Sequence, residues 1–185
     1  MRNLANGKIQ GPPVGFPSID MPWLSDYTET DILSDVTPRR IYEEFKENCE
    51  KYSDLIAIEY FGNKIKYNEI LENVDLVADS LVKDGVKIGD KVTVSMPYLP
   101  ETVYVIYALN KIGAVVNMVD PRINLELITK YVNNANSNYA FVIDKAEKKF
   151  EKILSDTKIR KVVSVSPMNS MKNPLLRTVG KFKHS

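Results

Sequence analysis

An α/β fold, a mainly parallel sheet with helical crossovers plus one hairpin, is predicted for this 185-residue sequence by three observations. From residue 91 onward, short apolar runs rich in β-branched residues alternate with amphipathic helical stretches, one helix between each pair of strands. A single intervening helix is the connection that a parallel strand pair requires. Just upstream, two short strand-like runs meet at Gly62-Asn63, which marks a hairpin. The composition, 44% apolar and 26% charged, is that of a globular chain able to build a core.

The elements follow in order. Residues 1–36 hold four of the ten prolines, mostly around Gly11-Pro12-Pro13-Val14-Gly15-Phe16-Pro17, and read as an extended leader that Trp23 and Leu24 could pin to the body. Thr37-Pro38 supplies an N-cap with proline at the first helical position, and Ile41, Tyr42, Phe45, Cys49 and Tyr52 form an apolar stripe behind it. Leu55 to Phe61 and Lys64 to Tyr67 are the hairpin strands. Ile70, Val74, Val77, Ala78 and Leu81 face one side of a second helix, which Gly85 ends. Strands are expected at Lys91 to Met96, Val115 to Val119, Tyr139 to Ile143 and Lys161 to Val165. Helices are expected at Pro100 to Lys111, Leu125 to Asn134 and Ala146 to Leu154, the first opening with Glu101 and stopping before Gly113. The α/β body thus covers residues 37–166, and 167–185 form a basic tail or linker.

Charge excludes some functions and locates others. The chain is balanced at net +1, which argues against a dedicated nucleic-acid binder. Its distribution is uneven: two basic against five acidic groups in residues 1–37, 12 against 16 in 38–144, and 11 against three in 145–185. Within the tail, Leu175, Leu176, Val179 and Phe182 fall on one helical side among cations, a pattern read either as a linker helix or as a peripheral membrane contact. No apolar run reaches the ~20 residues that span a bilayer, and Met1 to Gln10 lack a secretory apolar core. One cysteine and one histidine, Cys49 and His184, allow no internal disulfide and too few ligands for a zinc site. A cytoplasmic setting is the plain reading.

Open parallel sheets bind ligands at the carboxyl ends of their strands. Those ends carry Pro97-Tyr98-Leu99-Pro100-Glu101, Asp120-Pro121-Arg122 and Asp144-Lys145. None is a phosphate-cradling glycine loop, and neither GxGxxG nor GxxxxGK[ST] occurs; Gly85 to Gly89 reads as a helix end turning into a strand. Glu43, Glu44, Glu47 and Glu50 read as a solvated helix face. Asp75 and Asp79, one turn apart, either share a cation or simply face solvent. Tyr98 reads as an aromatic packed beside Pro97 and Pro100, or as a cleft wall. Composition and pattern assign no catalytic residue and no metal ligand.

One series of segments carries further. It runs Ile65-Lys66-Tyr67-Asn68-Glu69-Ile70, Asp84-Gly85-Val86-Lys87-Ile88-Gly89-Asp90-Lys91-Val92, Met96-Pro97-Tyr98-Leu99-Pro100-Glu101, Ala108 to Val116 through Gly113-Ala114, and Asp120-Pro121-Arg122. In order and spacing it resembles the N-terminal part of the AMP-forming adenylate superfamily, within which the match leans towards acyl-CoA synthetases of fatty or medium-chain acids. The resemblance covers about residues 37–166. Tyr98, Lys66 and Asp120 depart from the family's usual Asn, Thr or Ser, and Asn.

The resemblance implies an incomplete N-terminal portion of the adenylate-forming fold, with ATP, Mg²⁺ and CoA as the intact enzyme's cofactors and a carboxylic acid as its substrate. Such enzymes form an acyl-adenylate and pyrophosphate, and a thiol then displaces AMP. The family's Ser/Thr/Gly-rich loop ending in Pro-Lys, its metal carboxylate, its ribose aspartate and its C-terminal lysine follow the matched region and are absent here. This polypeptide alone is therefore expected to be inactive and to hold no cofactor tightly. Arg122 matches an arginine that lies towards the CoA nucleotide in some relatives, a role suited to a guanidinium; as a bare residue it reads as a surface arginine after a strand. A standalone non-catalytic binding module is the alternative to the ligase fragment. An unfinished parallel sheet would leave apolar surface open, and self-association is expected from it.

Overall fold

The computed structural model describes residues 3–5, 8–10, 12–27 and 38–172. The chain separates into two compact units, residues 1–38 and 39–185. In the first, β1 (Asn3–Ala5) and β2 (Lys8–Gln10) pair antiparallel, and α1 (Pro17–Asp20) precedes a 3₁₀ turn at Pro22–Asp26. Asp20 closes α1 back on the proline-rich stretch by accepting from the Val14 and Gly15 amides at 2.9 and 2.8 Å. Trp23 is half exposed.

The second unit begins with α2 (Ile41–Lys51). Thr37, expected as its cap, lies outside the described residues, and Pro38 stands three residues before the first turn. Arg40 is the N-cap instead, because the Glu43 carboxylate turns back to accept from the Arg40 amide at 3.2 Å. The apolar stripe is correspondingly narrower: Tyr42 and Cys49 are buried, whereas Ile41 and Tyr52 are exposed.

Strands β3 (Ile56–Tyr60) and β4 (Asn63–Lys66) form the expected hairpin, with the turn one residue earlier than the sequence suggests. Tyr60 pairs with Asn63, so Phe61 and Gly62 are the two central residues, both at positive φ (44° and 77°). That is the two-residue turn whose twist matches a hairpin. Helix α3 (Tyr67–Lys83) opens with Glu69 accepting from the Lys66 amide at 2.8 Å. It ends where Gly85 (φ 86°) lets the Gly85 and Val86 amides donate to the Val82 and Leu81 carbonyls.

The remaining elements build the sheet: β5 (Lys91–Ser95), α4 (Pro100–Ile112), β6 (Val115–Met118), α5 (Leu125–Ala135), β7 (Tyr139–Ile143), α6 (Glu147–Lys152) and β8 (Lys161–Val165). The last predicted helix is shorter than expected, with 3₁₀ turns at Asp144–Ala146 and Leu154–Asp156 on either side of α6. All four strands are parallel, in the order β6-β5-β7-β8.

Alternation along the strands divides the core between two faces. Val92, Val94, Tyr139 and Phe141 join Val74, Ala78, Leu81, Val105, Ala108 and Leu109 on the side of α3 and α4. Ala140, Val142 and Ile143 join Ile128, Val132, Phe150 and Ile153 on the side of α5 and α6. The sheet is thus covered on both faces, as a parallel sheet must be. Beside β5 a polar chain is paired: Asn117 Nδ2, half-buried on β6, donates to the buried Thr93 Oγ1 (3.1 Å), whose hydroxyl donates to the buried Ser137 Oγ just after α5 (2.8 Å). Among the described residues no helix is long and apolar enough to cross a membrane.

Candidate functional site

The strand order sets the position of the site. The connection leaving β5 runs through α4 to β6 on one side, and that leaving β7 runs through α6 to β8 on the other. Adjacent strands whose connections diverge leave a crevice at their carboxyl ends. A cleft of about 980 Å³ lies there. Met96, Val119 and Ile143, from the ends of β5, β6 and β7, are nearly fully buried and give it an apolar base. Tyr98, Arg122 and Lys145 line it from the segments beyond the strands and Lys149 from α6, with Tyr60 and Phe61 from the hairpin and Pro167 after β8.

Arg122 is the most strongly organised polar group of the cleft. The Asp120 carboxylate accepts from the Arg122 amide at 2.9 Å, from Nε at 3.0 Å and from Nη2 at 2.6 Å. These hydrogen bonds, the side-chain ones foremost, hold the Asp120 carboxyl down at about 2, and the Lys149 charge acts in the same direction. The guanidinium is raised in turn by its bond to Asp120, and its side chain is 87% exposed. Asp120 engages Nε and Nη2, which leaves Nη1 as a further donor pair for an anion. Lys149 reaches from α6 to the same turn, its ammonium donating to the Pro121 and Ile123 carbonyls at 3.2 Å each.

The opposite wall is strapped in place by the segment after β8. Tyr60 donates its hydroxyl to the Pro167 carbonyl at 2.9 Å, Asn63 Nδ2 to the Ser170 carbonyl at 3.0 Å, and Ser170 Oγ to Glu101 Oε1 at 2.6 Å. Burial pushes the Tyr60 phenol up, with the Glu101 charge adding to it.

The three strand-end segments singled out from the sequence do converge, since the cleft takes lining from Pro97 to Leu99, from Asp120 to Arg122 and from Lys145. Tyr98 is corrected: it is 98% exposed at the cleft, not packed between its prolines. Thr102 Oγ1 binds the Pro97 carbonyl at 2.7 Å and Leu99 takes the inward position as cap of α4, so the residue between them is turned out. Asp75 does not share a cation with Asp79; it accepts from Tyr42 Oη (2.9 Å) and Lys111 Nζ (2.8 Å), locking α2, α3 and α4 together. Glu44 and Glu47 both pair with Arg39. Gly85 and Gly89, both at positive φ, serve turns, the Gly89 amide donating to the Gly113 carbonyl at 2.9 Å.

Cys49 is fully buried, and burial pushes its thiol up to about 11, opposite to the shift a nucleophile needs. His184 and the apolar stripe Leu175, Leu176, Val179 and Phe182 lie outside the described residues. Among the described residues no group of three His, Cys, Asp or Glu side chains could hold a metal ion. The cleft offers apolar walls and, at its mouth, a guanidinium with donors to spare.

Sequence reasoning did not identify Tyr60, Phe61, Lys149 or Pro167 as cleft residues. The lysine run Lys145, Lys148, Lys149 after a strand end was a usable signal for Lys149. For the hairpin residues there was none, because only the tertiary fold brings them near β5.

Together, a doubly covered parallel sheet and a cleft at its switch point define an α/β domain with a candidate ligand site at its strand ends. Residues 45–183 match the AMP-binding enzyme family, and the chain belongs to that family. Acetyl-coenzyme A synthetase from Brucella canis is 32% identical over 140 residues, which cover 66% of this chain and 21% of the relative. The chain therefore spans about a fifth of the length of the curated relatives it matches. Among solved structures, a long-chain-fatty-acid-CoA ligase from Archaeoglobus fulgidus matches with a TM-score of 0.66 at 21% identity, over 75% of this chain and 31% of the other. The N-terminal domain of FACL13 from Mycobacterium tuberculosis matches with a TM-score of 0.64 at 17% identity, over 69% and 34%. At these identities the structural matches speak for the fold, which is that of an N-terminal part of an adenylate-forming enzyme.

Proposed function

We propose that this chain is the N-terminal portion of an ATP-dependent acid–thiol ligase that joins a fatty or medium-chain carboxylic acid to CoA. In this reading the cleft at the ends of β5, β6 and β7 receives the CoA end of the reaction, with Arg122 on its phosphate. The observation that carries it is the cleft itself, an apolar hollow at the switch point with one organised guanidinium at its mouth. Arginine suits the task because its planar donors engage two phosphate oxygens together. Activation of the acid is assigned to other parts of a longer enzyme. The sequence has no phosphate-cradling glycine loop of the GxGxxG or GxxxxGK[ST] kind.

Two measurements test the proposal on the 185-residue chain. With ATP, Mg²⁺ and a panel of short, medium and long acids, no pyrophosphate release above background is expected; clear turnover would overturn the division of labour. Titration with CoA and with dephospho-CoA, followed by NMR, should show weak binding that favours CoA and disappears in Arg122→Ala. Equal affinity for the two ligands, or binding that survives the substitution, removes Arg122 from the site.

A further inference from the structure

We infer that Lys149 is a positioning residue of this cleft: its ammonium clamps the turn that presents Arg122, and it acts on an anion only through that arginine. The inference rests on the Arg122 reading above. The turn between β6 and α5 is fixed at both ends, by the Val119 amide donating to the Val94 carbonyl (3.0 Å) and by Asn124 Oδ1 accepting from the Leu127 amide (2.9 Å). Its middle has one long backbone bond of its own, the Ile123 amide donating to the Asp120 carbonyl at 3.4 Å. Pro121 has no amide hydrogen to give, and the two carbonyls that bracket Arg122, those of Pro121 and Ile123, both accept from the one Lys149 ammonium at 3.2 Å.

A compact cation with three donors is well suited to bind two carbonyls at once. Its base is rigid, because the short helix that carries it is pinned to the core by Ala146, Phe150 and Ile153, none more than 2% exposed. The clamp sets the direction of the Arg122 backbone, and Asp120 then sets the side chain from within the same turn. The two act together: Asp120 moves with the turn, so on its own it fixes the Arg122 side chain only relative to that turn.

The test uses ¹⁵N-labelled full chain and adenosine 3′,5′-bisphosphate as the phosphate probe. Lys149→Met should weaken binding roughly 3- to 10-fold, the scale of an ordinary hydrogen bond's net contribution, since the effect reaches the anion only through Arg122, and Lys149→Arg should recover most of it. In the Arg122→Ala background, adding Lys149→Met should cost nothing further. An additional loss there would mean that Lys149 touches the anion itself and would overturn the inference. Ligand-free ¹⁵N relaxation supplies the independent reading, with order expected to fall at Arg122 and Ile123 in Lys149→Met and to stay unchanged in Arg122→Ala. Unchanged order in Lys149→Met overturns the clamp whatever binds. If the wild-type chain takes no bisphosphate, the Arg122 reading fails, and relaxation alone decides the clamp.

Discussion

Gly85 and Gly113 offer a matched pair for testing how the strand-helix joints are held. Both follow a helix at nearly the same φ, 86° and 84°, and both let two amides close back onto the last turn. They differ in surroundings. A Cβ at Gly85 would meet only Tyr139 Oη at 3.9 Å, whereas at Gly113 it would lie 2.9 Å from Ile88 Cγ1 and 3.2 Å from Cδ1. Gly85→Ala should therefore cost the left-handed penalty alone, ~1–2 kcal/mol, less the few tenths returned by a stiffer unfolded chain. Gly113→Ala bears the same term and must also push Ile88 aside. Ile88 is 72% exposed, so it can move, and an off-rotamer side chain costs ~0.5–1.5 kcal/mol. Urea unfolding should show Gly113→Ala to be the less stable variant by that difference, at unchanged m-value. Adding Ile88→Ala should erase the gap. If the two alanine variants unfold together, or if the gap survives Ile88→Ala, the close approach is not what distinguishes the joints.

Other outcomes follow from the same geometry. The Asp120 carboxyl is held at about 2, below its ordinary 3.8, so its pairing with Arg122 is complete above about pH 4 and is lost as pH falls through about 2. A ¹³C carboxyl titration should place the midpoint near 2 with no event between pH 5 and 8, and a midpoint near 4 would refute the pairing. Phe61, a bulky residue at φ 44° followed by glycine, carries a left-handed cost of ~1–2 kcal/mol that asparagine avoids. Phe61→Asn forfeits part of an edge contact with Tyr60 (centroids 4.8 Å apart), so thermal denaturation should show a net gain of up to ~1 kcal/mol. A loss of that size instead would show that Phe61 is held by packing rather than by turn geometry.

The parts of the fold legible in the sequence are those whose cause is local. The four parallel strands, the helices between them and the stops at Gly85 and Gly113 sit within a residue or two of expectation, because period and capping decide them. The start of α2 was misread for a physical reason: Thr37-Pro38 carries the usual signature, but Glu43 turning back on Arg40 made a cap that the signature does not describe. In the same way, Asp75 and Asp79 looked like a pair one turn apart, and only the approach of Lys111 and Tyr42 shows Asp75 to be spoken for. Of the site, its location at the strand ends and the candidacy of Arg122 were legible. Its hairpin wall and the Lys149 clamp were not, since they join segments 26 or more residues apart.

That separation also bears on how the cleft works. Its lining is drawn from the hairpin turn, three strand-end segments, α6 and the segment after β8, and several of these are tied to one another. Tyr60 and Asn63 tie the hairpin to residues 167 and 170, Ser170 ties that segment to Glu101 at the start of α4, and Lys149 ties α6 to the Arg122 turn. A wall made of loops is thereby fixed by bonds between neighbouring loops rather than by the sheet alone. Such cross-ties lower the entropy a ligand must remove on binding, which is how a cleft lined largely by loops can present one guanidinium in a defined direction.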